Sequence, residues 1–417
     1  MIKGPGGIPK LDTTPLPSDP ARINLRNGRA GLPYAAVIEG YGAFALTDDG
    51  GTGLAVTAEG AVSGGPVAAG DHTLLLDAVK AGRPVRLQVR LSIIPDPRDL
   101  WKPLASDQTA PLAKPDQAFD SQIAAAFVVA ASKRGRAHAQ TGSYREDHFR
   151  IRADAATGWH ILVVADGAGS ATLSREGSKI ACDTVMHVLP GLLADIADPG
   201  LEAIVATHGG DPAEWVLRLR TDVMSQVLPE AALCAARAIE AEACKDDRRA
   251  QDYATTIVIA VSRKVAEKWI IATFTVGDGG VALFDAAAGR VDVLCRADSG
   301  EFAGQTRFLA TTELRDPEDV LGRLFVDLRD GFTVLAAMTD GITDPKFPTE
   351  AVFADAQTWV AFWQDDLCHH VDLHPENPEL GPQMLAWLDF WSRGNHDDRT
   401  IALLLPGPVS VRGGSGR

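Results

Sequence analysis

Four apolar runs in this chain each abut an aspartate, and that pairing constrains the fold more than any other feature. Ile161-Leu162-Val163-Val164-Ala165 leads into Asp166, and Leu335-Ala336-Ala337-Met338-Thr339 leads into Asp340. Residues 273–277 lead into Asp278, while Asp397-Asp398 stand just before the terminal run 400–404. The runs are nearly continuous rather than alternating, which predicts strands covered on both faces. Asp166, Asp278 and Asp340 are each followed by glycine, which lets backbone approach closely. A single Asp-Gly is more often a plain turn. Four strand-terminal acids in one region are better explained by one shared mouth. Unpaired, such carboxylates repel and resist ionisation; hard divalent cations remove that problem. Oxygen donors without His or Cys spacing select Mg²⁺ or Mn²⁺ over zinc.

The chain divides by pattern. Residues 1–94 are glycine-rich, with short strand-like runs at 35–38, 53–56, 72–76 and 85–89 separated by turn signals such as Asp48-Asp49-Gly50-Gly51. Strands at that spacing predict a small β-sandwich. Gly31-Leu32-Pro33-Tyr34, Gly53-Leu54-Ala55-Val56 and Gly60-Ala61-Val62-Ser63-Gly64 resemble the bacterial immunoglobulin-like repeat. Such modules bind or space. Residues 95–120 hold Pro95, Pro97, Pro103, Pro111 and Pro115 and read as a semi-rigid linker. From 121 to 407 helix and strand patterns mix. An amphipathic helix follows Ser174, a second covers 216–227, and a third starts at Pro229. Residues 408–417 read as a flexible tail.

Charge excludes one large class of function. Net charge is −15, and residues 121–417 carry 28 basic against 42 acidic side chains. Phosphate-backbone binding needs a basic face, so nucleic acid is not expected as a partner. No run approaches the length of a membrane span, and no apolar leader follows Met1. Five cysteines without Cys-x-x-Cys spacing predict free thiols in a reducing cytoplasm.

Six segments, in order, resemble the metal-dependent serine/threonine phosphatases of the protein phosphatase 2C family, bacterial subgroup. They are Arg145-Glu146-Asp147, Val164-Ala165-Asp166-Gly167-Ala168-Gly169, Ala254-Thr255-Thr256, Val276-Gly277-Asp278-Gly279, Thr339-Asp340-Gly341-Ile342-Thr343-Asp344 and Asp397-Asp398-Arg399-Thr400. Gly300-Glu301-Phe302 with Thr306-Arg307-Phe308-Leu309 matches a further segment of that subgroup. The resemblance implies an α+β fold, a four-layer α/β/β/α sandwich behind the immunoglobulin-like module. It implies Mn²⁺ or Mg²⁺, two or three ions. Asp166, Asp340 and Asp397 are the catalytic set. Asp166 would bridge two cations with the Gly167 carbonyl on one of them. Glu146 would serve the other ion, Asp147 would hold water beside them, and Asp278 with Asp344 would hold the third.

The implied reaction is hydrolysis of phosphoserine or phosphothreonine on proteins. Paired cations lower the pKa of a water and clamp the displacement. The family often grips phosphate with an arginine three residues before the opening triplet; here that position is Gly142. Arg145, Arg136 and His138 are the substitutes within reach. The histidine that some relatives carry two residues after the bridging aspartate is replaced by Ala168, and Asp398 stands where asparagine is usual. A phosphoprotein substrate is expected, with a cognate kinase or signalling protein as partner of the N-terminal module. A non-catalytic phosphoprotein adaptor and a small-molecule phosphomonoesterase are the alternatives on the same scaffold.

Overall fold

The computed structural model describes residues 20–407 apart from 67, 97, 99–100, 209–210, 266 and 297–305. The expected tail and the Gly300-Glu301-Phe302 segment lie outside the described residues. The chain forms two compact units, with the boundary between Lys102 and Pro103.

The first unit holds, among the described residues, the strands β1 (Ala21–Asn24), β2 (Gly28–Arg29), β3 (Tyr34–Val37), β4 (Gly42–Asp48), β5 (Ala55–Val56), β6 (Ala61–Gly64), β7 (Gly70–Lys80) and β8 (Arg83–Ile94). One sheet runs β1-β8-β7-β4, with β2 also on β8, and a second runs β3-β6-β5. Alternate residues of β7 and β8, among them Leu74, Leu76, Leu87 and Val89, are buried with Tyr34, Phe44 and Val62. The expected turns are present: Gly50, Gly51 and Gly60 all have positive φ.

The second unit holds β9 (Gln117–Ile123), β10 (Phe127–Lys133), β11 (His148–Ala153), β12 (His160–Ala165), β13 (Ile257–Val265), β14 (Lys268–Val276), β15 (Gly280–Asp285), β16 (Arg290–Val293), β17 (Leu324–Arg329), β18 (Val334–Met338) and β19 (Arg399–Leu405). They form a six-stranded sheet, β16-β15-β18-β19-β10-β9, and a five-stranded sheet, β11-β12-β13-β14-β17. One apolar cluster lies between the sheets and includes Val128, Leu162, Val258, Ile271, Leu335 and Leu404. A second joins the outer face of the five-stranded sheet to the helices Ser174–Leu192 and Ser225–Lys245. A third joins the six-stranded sheet to helical residues such as Trp359, Leu367 and Met384. The inner strands β10, β12, β13, β14, β15, β18 and β19 are therefore buried on both sides, which explains why their runs read as continuous, while the edge strands β9, β16 and β17 are only partly covered. The stretch Ser174–Ile204 is long and apolar enough to cross a membrane by length and composition. A third of its apolar 18-residue window (33%) is buried, and Ala181, Cys182, Val185 and Leu189 on one face are fully buried in the second cluster against the sheet.

Two sequence expectations need revision. Pro229 does not open a helix but lies inside Ser225–Lys245, downstream of a wide turn over Leu219–Met224. Nor does the proline-rich stretch 103–120 stand apart from the second unit. The Leu104 N–H donates to the Ala139 carbonyl at 2.8 Å, Arg134 donates to the Leu104 carbonyl at 2.8 Å and pairs with Asp116 at 3.0 Å, and β9 begins at Gln117. Proline cannot extend a ladder, but side chains of neighbouring elements can still hold its flanks.

Candidate metal centre

Strand register brings the acids together. His148 pairs with Ala165, which sets Asp147 beside Asp166. Ile257 pairs with Val276, placing Thr256 next to the turn that carries Asp278. Gly280 pairs with Met338, and Met338 with Ile401, so Asp278, Asp340 and the Asp397-Asp398 pair end on one rim. Carboxylate oxygens of Asp166, Asp278 and Asp340 all lie within 4.8 Å of one another. Ligand atoms of His138, Asp397 and Asp398 form a second such group.

Threonines fix the backbone and the buried acid. The Asp166 N–H donates to Thr256 Oγ1 at 3.0 Å, and its carbonyl accepts from Thr256 N at 2.8 Å and from Thr255 Oγ1 at 2.7 Å. Asp147 is fully buried. Its Oδ2 accepts from Thr339 Oγ1 at 2.8 Å and Thr400 Oγ1 at 2.7 Å. Its Oδ1 has no hydrogen-bond partner, and neither do Glu146 Oε2, Asp278 Oδ1 or Asp340 Oδ1, all buried. Four orphaned acceptors in one acidic recess fit a cation, which would satisfy them together.

The electrostatics agree. Burial, then the Asp278 and Asp397 charges, pushes Asp340 up to about 8. Burial lifts Glu146 to about 7 and Asp147, with the help of Asp398, to about 6. Asp166 is raised well above the carboxylate range by burial and by Asp147 and Asp340. Asp397 is raised by burial and Asp398, and Asp344 by burial and Asp278.

Asp398 behaves oppositely. Burial pushes it up, but hydrogen bonds outweigh burial and hold it below the usual range. Its Oδ1 accepts from Gly135 N at 2.6 Å and lies 3.0 Å from His138 Nδ1, while Oδ2 accepts from Glu146 N at 2.5 Å. It is a tether for the Glu146 loop, with both oxygens already engaged. His138 loses charge affinity by burial and regains more from Asp398, so it titrates near 9. Its Nε2 lies 3.8 Å from Glu146 Oε2.

The three candidate phosphate ligands separate in the structure. Arg145 is turned inward at 1% exposure and donates Nε to the Pro115 carbonyl at 3.1 Å. Arg136 is engaged by Asp389 at 2.7 Å and the Phe390 carbonyl at 3.1 Å. His138 lies against the acids of the site, 3.0 Å from Asp398 and 3.8 Å from Glu146. Gly142 ends the helix Arg136–Thr141 at φ 72°, with Leu104 Cβ 3.5 Å from where its own Cβ would sit. The segment 103–116 thus covers the position from which an arginine would leave. Gly167 pairs with Thr255 in an isolated bridge and has Ser174 pressed against it.

Sequence reasoning missed Lys114, whose Nζ is held inside this unit by the Glu146 and Arg175 carbonyls and Ser178 Oγ. It also missed the hydroxyls of Thr339 and Thr400. A lone lysine among prolines has no pattern that announces burial. The threonines were within quoted motifs, so their side chains could have been weighed.

A family profile described as Protein phosphatase 2C matches residues 134–379, well over half of the chain. A search of curated proteins returns no match. Among solved structures the chain is similar to a bacterial serine phosphatase at 15% identity, covering 70% of this chain and 100% of that one, TM-score 0.38. It is similar to serine-threonine phosphatase 2C from Toxoplasma gondii at 11% identity, covering 70% and 99%, TM-score 0.44. Serine/threonine phosphatase Stp1 from Staphylococcus aureus is similar at 14% identity, covering 71% and 97%, TM-score 0.36. The profile spans Glu146, Asp147, Asp166, Asp278, Asp340 and Asp344 and ends before Asp397-Asp398; the chain belongs to the protein phosphatase 2C family and is a metal-dependent serine/threonine protein phosphatase.

Proposed function

We propose that this phosphatase works with two Mn²⁺ or Mg²⁺ ions and a more weakly held third. Asp166 would bridge the first two with the Gly167 carbonyl, Asp340 and Asp397 would complete one ion, Glu146 would complete the other, and Asp278 with Asp344 would hold the third. The observation that carries this reading is the set of four orphaned buried carboxylate oxygens on Glu146, Asp147, Asp278 and Asp340. Paired ions supply a water of lowered pKa and neutralise the phosphoryl oxygens.

The chain's own residues do the rest. Asp147, anchored by two threonine hydroxyls, presents its free oxygen toward the recess to orient water. His138, kept cationic by Asp398, stands at the edge nearest Glu146 and takes over the phosphate-binding role for which Gly142 provides no side chain. The substrate is a phosphoserine or phosphothreonine protein in the cytoplasm. The N-terminal β unit, whose two sheets suit an immunoglobulin-like sandwich, would dock a partner such as the opposing kinase.

Phosphate release from p-nitrophenyl phosphate and from a phosphothreonine peptide is expected with Mn²⁺, and Asp166→Asn should abolish both. Inactivity on both substrates across Mn²⁺, Mg²⁺ and Fe²⁺ would refute this arrangement and favour a binding adaptor. Turnover of the ester with no phosphopeptide would point to small-molecule substrates.

A further inference from the structure

Next to the acids the surface opens into a cavity of about 550 Å³, within the roughly 300–1,000 Å³ of ordinary ligand pockets. Asp278 belongs both to the carboxylate cluster and to the cavity wall, so whatever fills the cavity lies beside the reacting phosphate. Phe347 and Phe353, both mostly buried and meeting edge to face at 5.2 Å, form a rigid apolar side. Asp344 and Glu350 supply charge. Among the described residues, no lysine, arginine or histidine lines it.

Glu350 is the informative residue. It is exposed at the start of the short helix Glu350–Phe353. Among the described residues no ion pair or side-chain hydrogen bond engages its carboxylate. The nearest base in sequence, Lys346, is committed elsewhere: its Nζ lies 2.6 Å from Asp366 and 3.9 Å from the Phe390 ring centre. Glu350 and Cys295 both line the cavity, and the Cys295 thiol is pushed up to about 11, chiefly by burial, with the Glu350 charge adding to it. Cations bound by Asp278 and Asp344 would neutralise those two acids and leave Glu350 as the free one.

An aromatic wall leading to an unpaired carboxylate fits a long side chain with an apolar stem and a cationic head. An acidic side chain would be repelled. In an extended peptide each residue advances about 3.3–3.6 Å, so positions flanking the phosphorylated residue reach the cavity. We propose that this cavity is a specificity subsite for a lysine or arginine side chain flanking the phosphoserine or phosphothreonine, a proposal that rests on the protein-substrate reading above.

The test compares kcat/KM for phosphothreonine peptides carrying Arg, Ala or Glu at each position from −3 to +3, with p-nitrophenyl phosphate as a substrate lacking flanks. Wild type should prefer Arg over Ala at one position by about two- to fivefold, the scale of one exposed ion pair. Glu350→Gln should erase that preference and Glu350→Arg should turn it toward Glu, with ester turnover unchanged in both. Equal use of all peptides by wild type, or an Arg preference that survives Glu350→Arg, overturns the proposal while leaving the phosphatase reading intact. A raised Mn²⁺ requirement for ester turnover in Glu350→Gln would mean that the cavity holds a further cation, and also overturns it. Ester turnover without any peptide turnover removes the protein-substrate reading and the subsite together.

Discussion

Lys114 Nζ donates to the carbonyl oxygen of Glu146 at 3.1 Å, from a side chain that is only 4% exposed. The same ammonium reaches the Arg175 carbonyl and Ser178 Oγ, each at 3.0 Å. One buried lysine therefore ties the segment 103–116 to the acidic loop and to the helix Ser174–Leu192. Lys114→Met would leave these acceptors short of a donor, at a cost of about 3 kcal/mol. Thermal unfolding should show a drop of several degrees, and the Mn²⁺ concentration for half-maximal activity should rise more than KM for substrate.

Lys114 also gives a pH signature. Burial, then Arg145, lowers its pKa from 10.5 to about 7. Between those values the unfolded chain binds more protons than the folded one, so stability contributed by this site rises with pH from about 7 to 10. Denaturant unfolding across that range should show the rise in wild type and a shallower one in Lys114→Met. Identical slopes would place the lysine's titration elsewhere.

The acids predict the opposite trend without metal. Folded Glu146, Asp147 and Asp340 titrate near 7, 6 and 8, above their unfolded values of about 4. Their protonated forms favour the fold, and that stability is lost as pH rises from about 4 to 8. Metal-free protein should melt lower at pH 8 than at pH 5.5. Saturating Mn²⁺ should raise the melting temperature more at pH 8, since ligand at a hundredfold over Kd adds about 2.7 kcal/mol and protons compete less. An equal increment at both pH values would contradict the assignment of these acids to the cation site.

How much of this was readable beforehand differs by residue. Asp166, Asp278 and Asp340 were legible because each ends an apolar run, and burial of both sheet faces writes that run into the sequence. The shared mouth expected from the strand-terminal acids counted Asp398 with the rest. The structure instead gives Asp398 four hydrogen-bond partners, Gly135 N, His138 Nδ1, Glu146 N and Asp147 N, and a depressed pKa. Nothing in the text of Asp397-Asp398 distinguishes a carboxylate aimed at the recess from one aimed at backbone N–H groups. The segment 103–116 was illegible for a related reason: its contacts are made by carbonyls and one lysine, which leave no periodicity. Arg145 stood as a candidate for gripping phosphate, and its burial against the Pro115 carbonyl depends on that same segment.

Asp398 makes a separable prediction. In Asp398→Asn one carboxylate oxygen becomes an NH₂ facing either the Glu146 N–H or His138, so a donor meets a donor or a hydrogen bond is lost. A destabilisation of about 2 kcal/mol is expected. His138, held near 9 by Asp398, should titrate closer to 6.5 by NMR in the variant. The stability that its charge contributes is present below about 6.5 and disappears as pH rises through 9, so the difference between wild type and variant should narrow above pH 9.

Two glycines in the acidic motifs separate steric need from motif membership. A Cβ on Gly341 would sit 1.8 Å from the Asp398 carbonyl oxygen, while one on Gly169 would meet nothing within 4 Å. Backbone cannot yield at the first position without moving the Asp397-Asp398 pair away from Asp340. Gly341→Ala should therefore cost several kcal/mol, of the order seen for severe overpacking, and weaken Mn²⁺ binding in calorimetry. Gly169→Ala should change stability by less than about 0.5 kcal/mol and leave the calorimetric Mn²⁺ affinity as it was. Equal damage from both would mean that the turn after Asp166 needs glycine for a reason other than space.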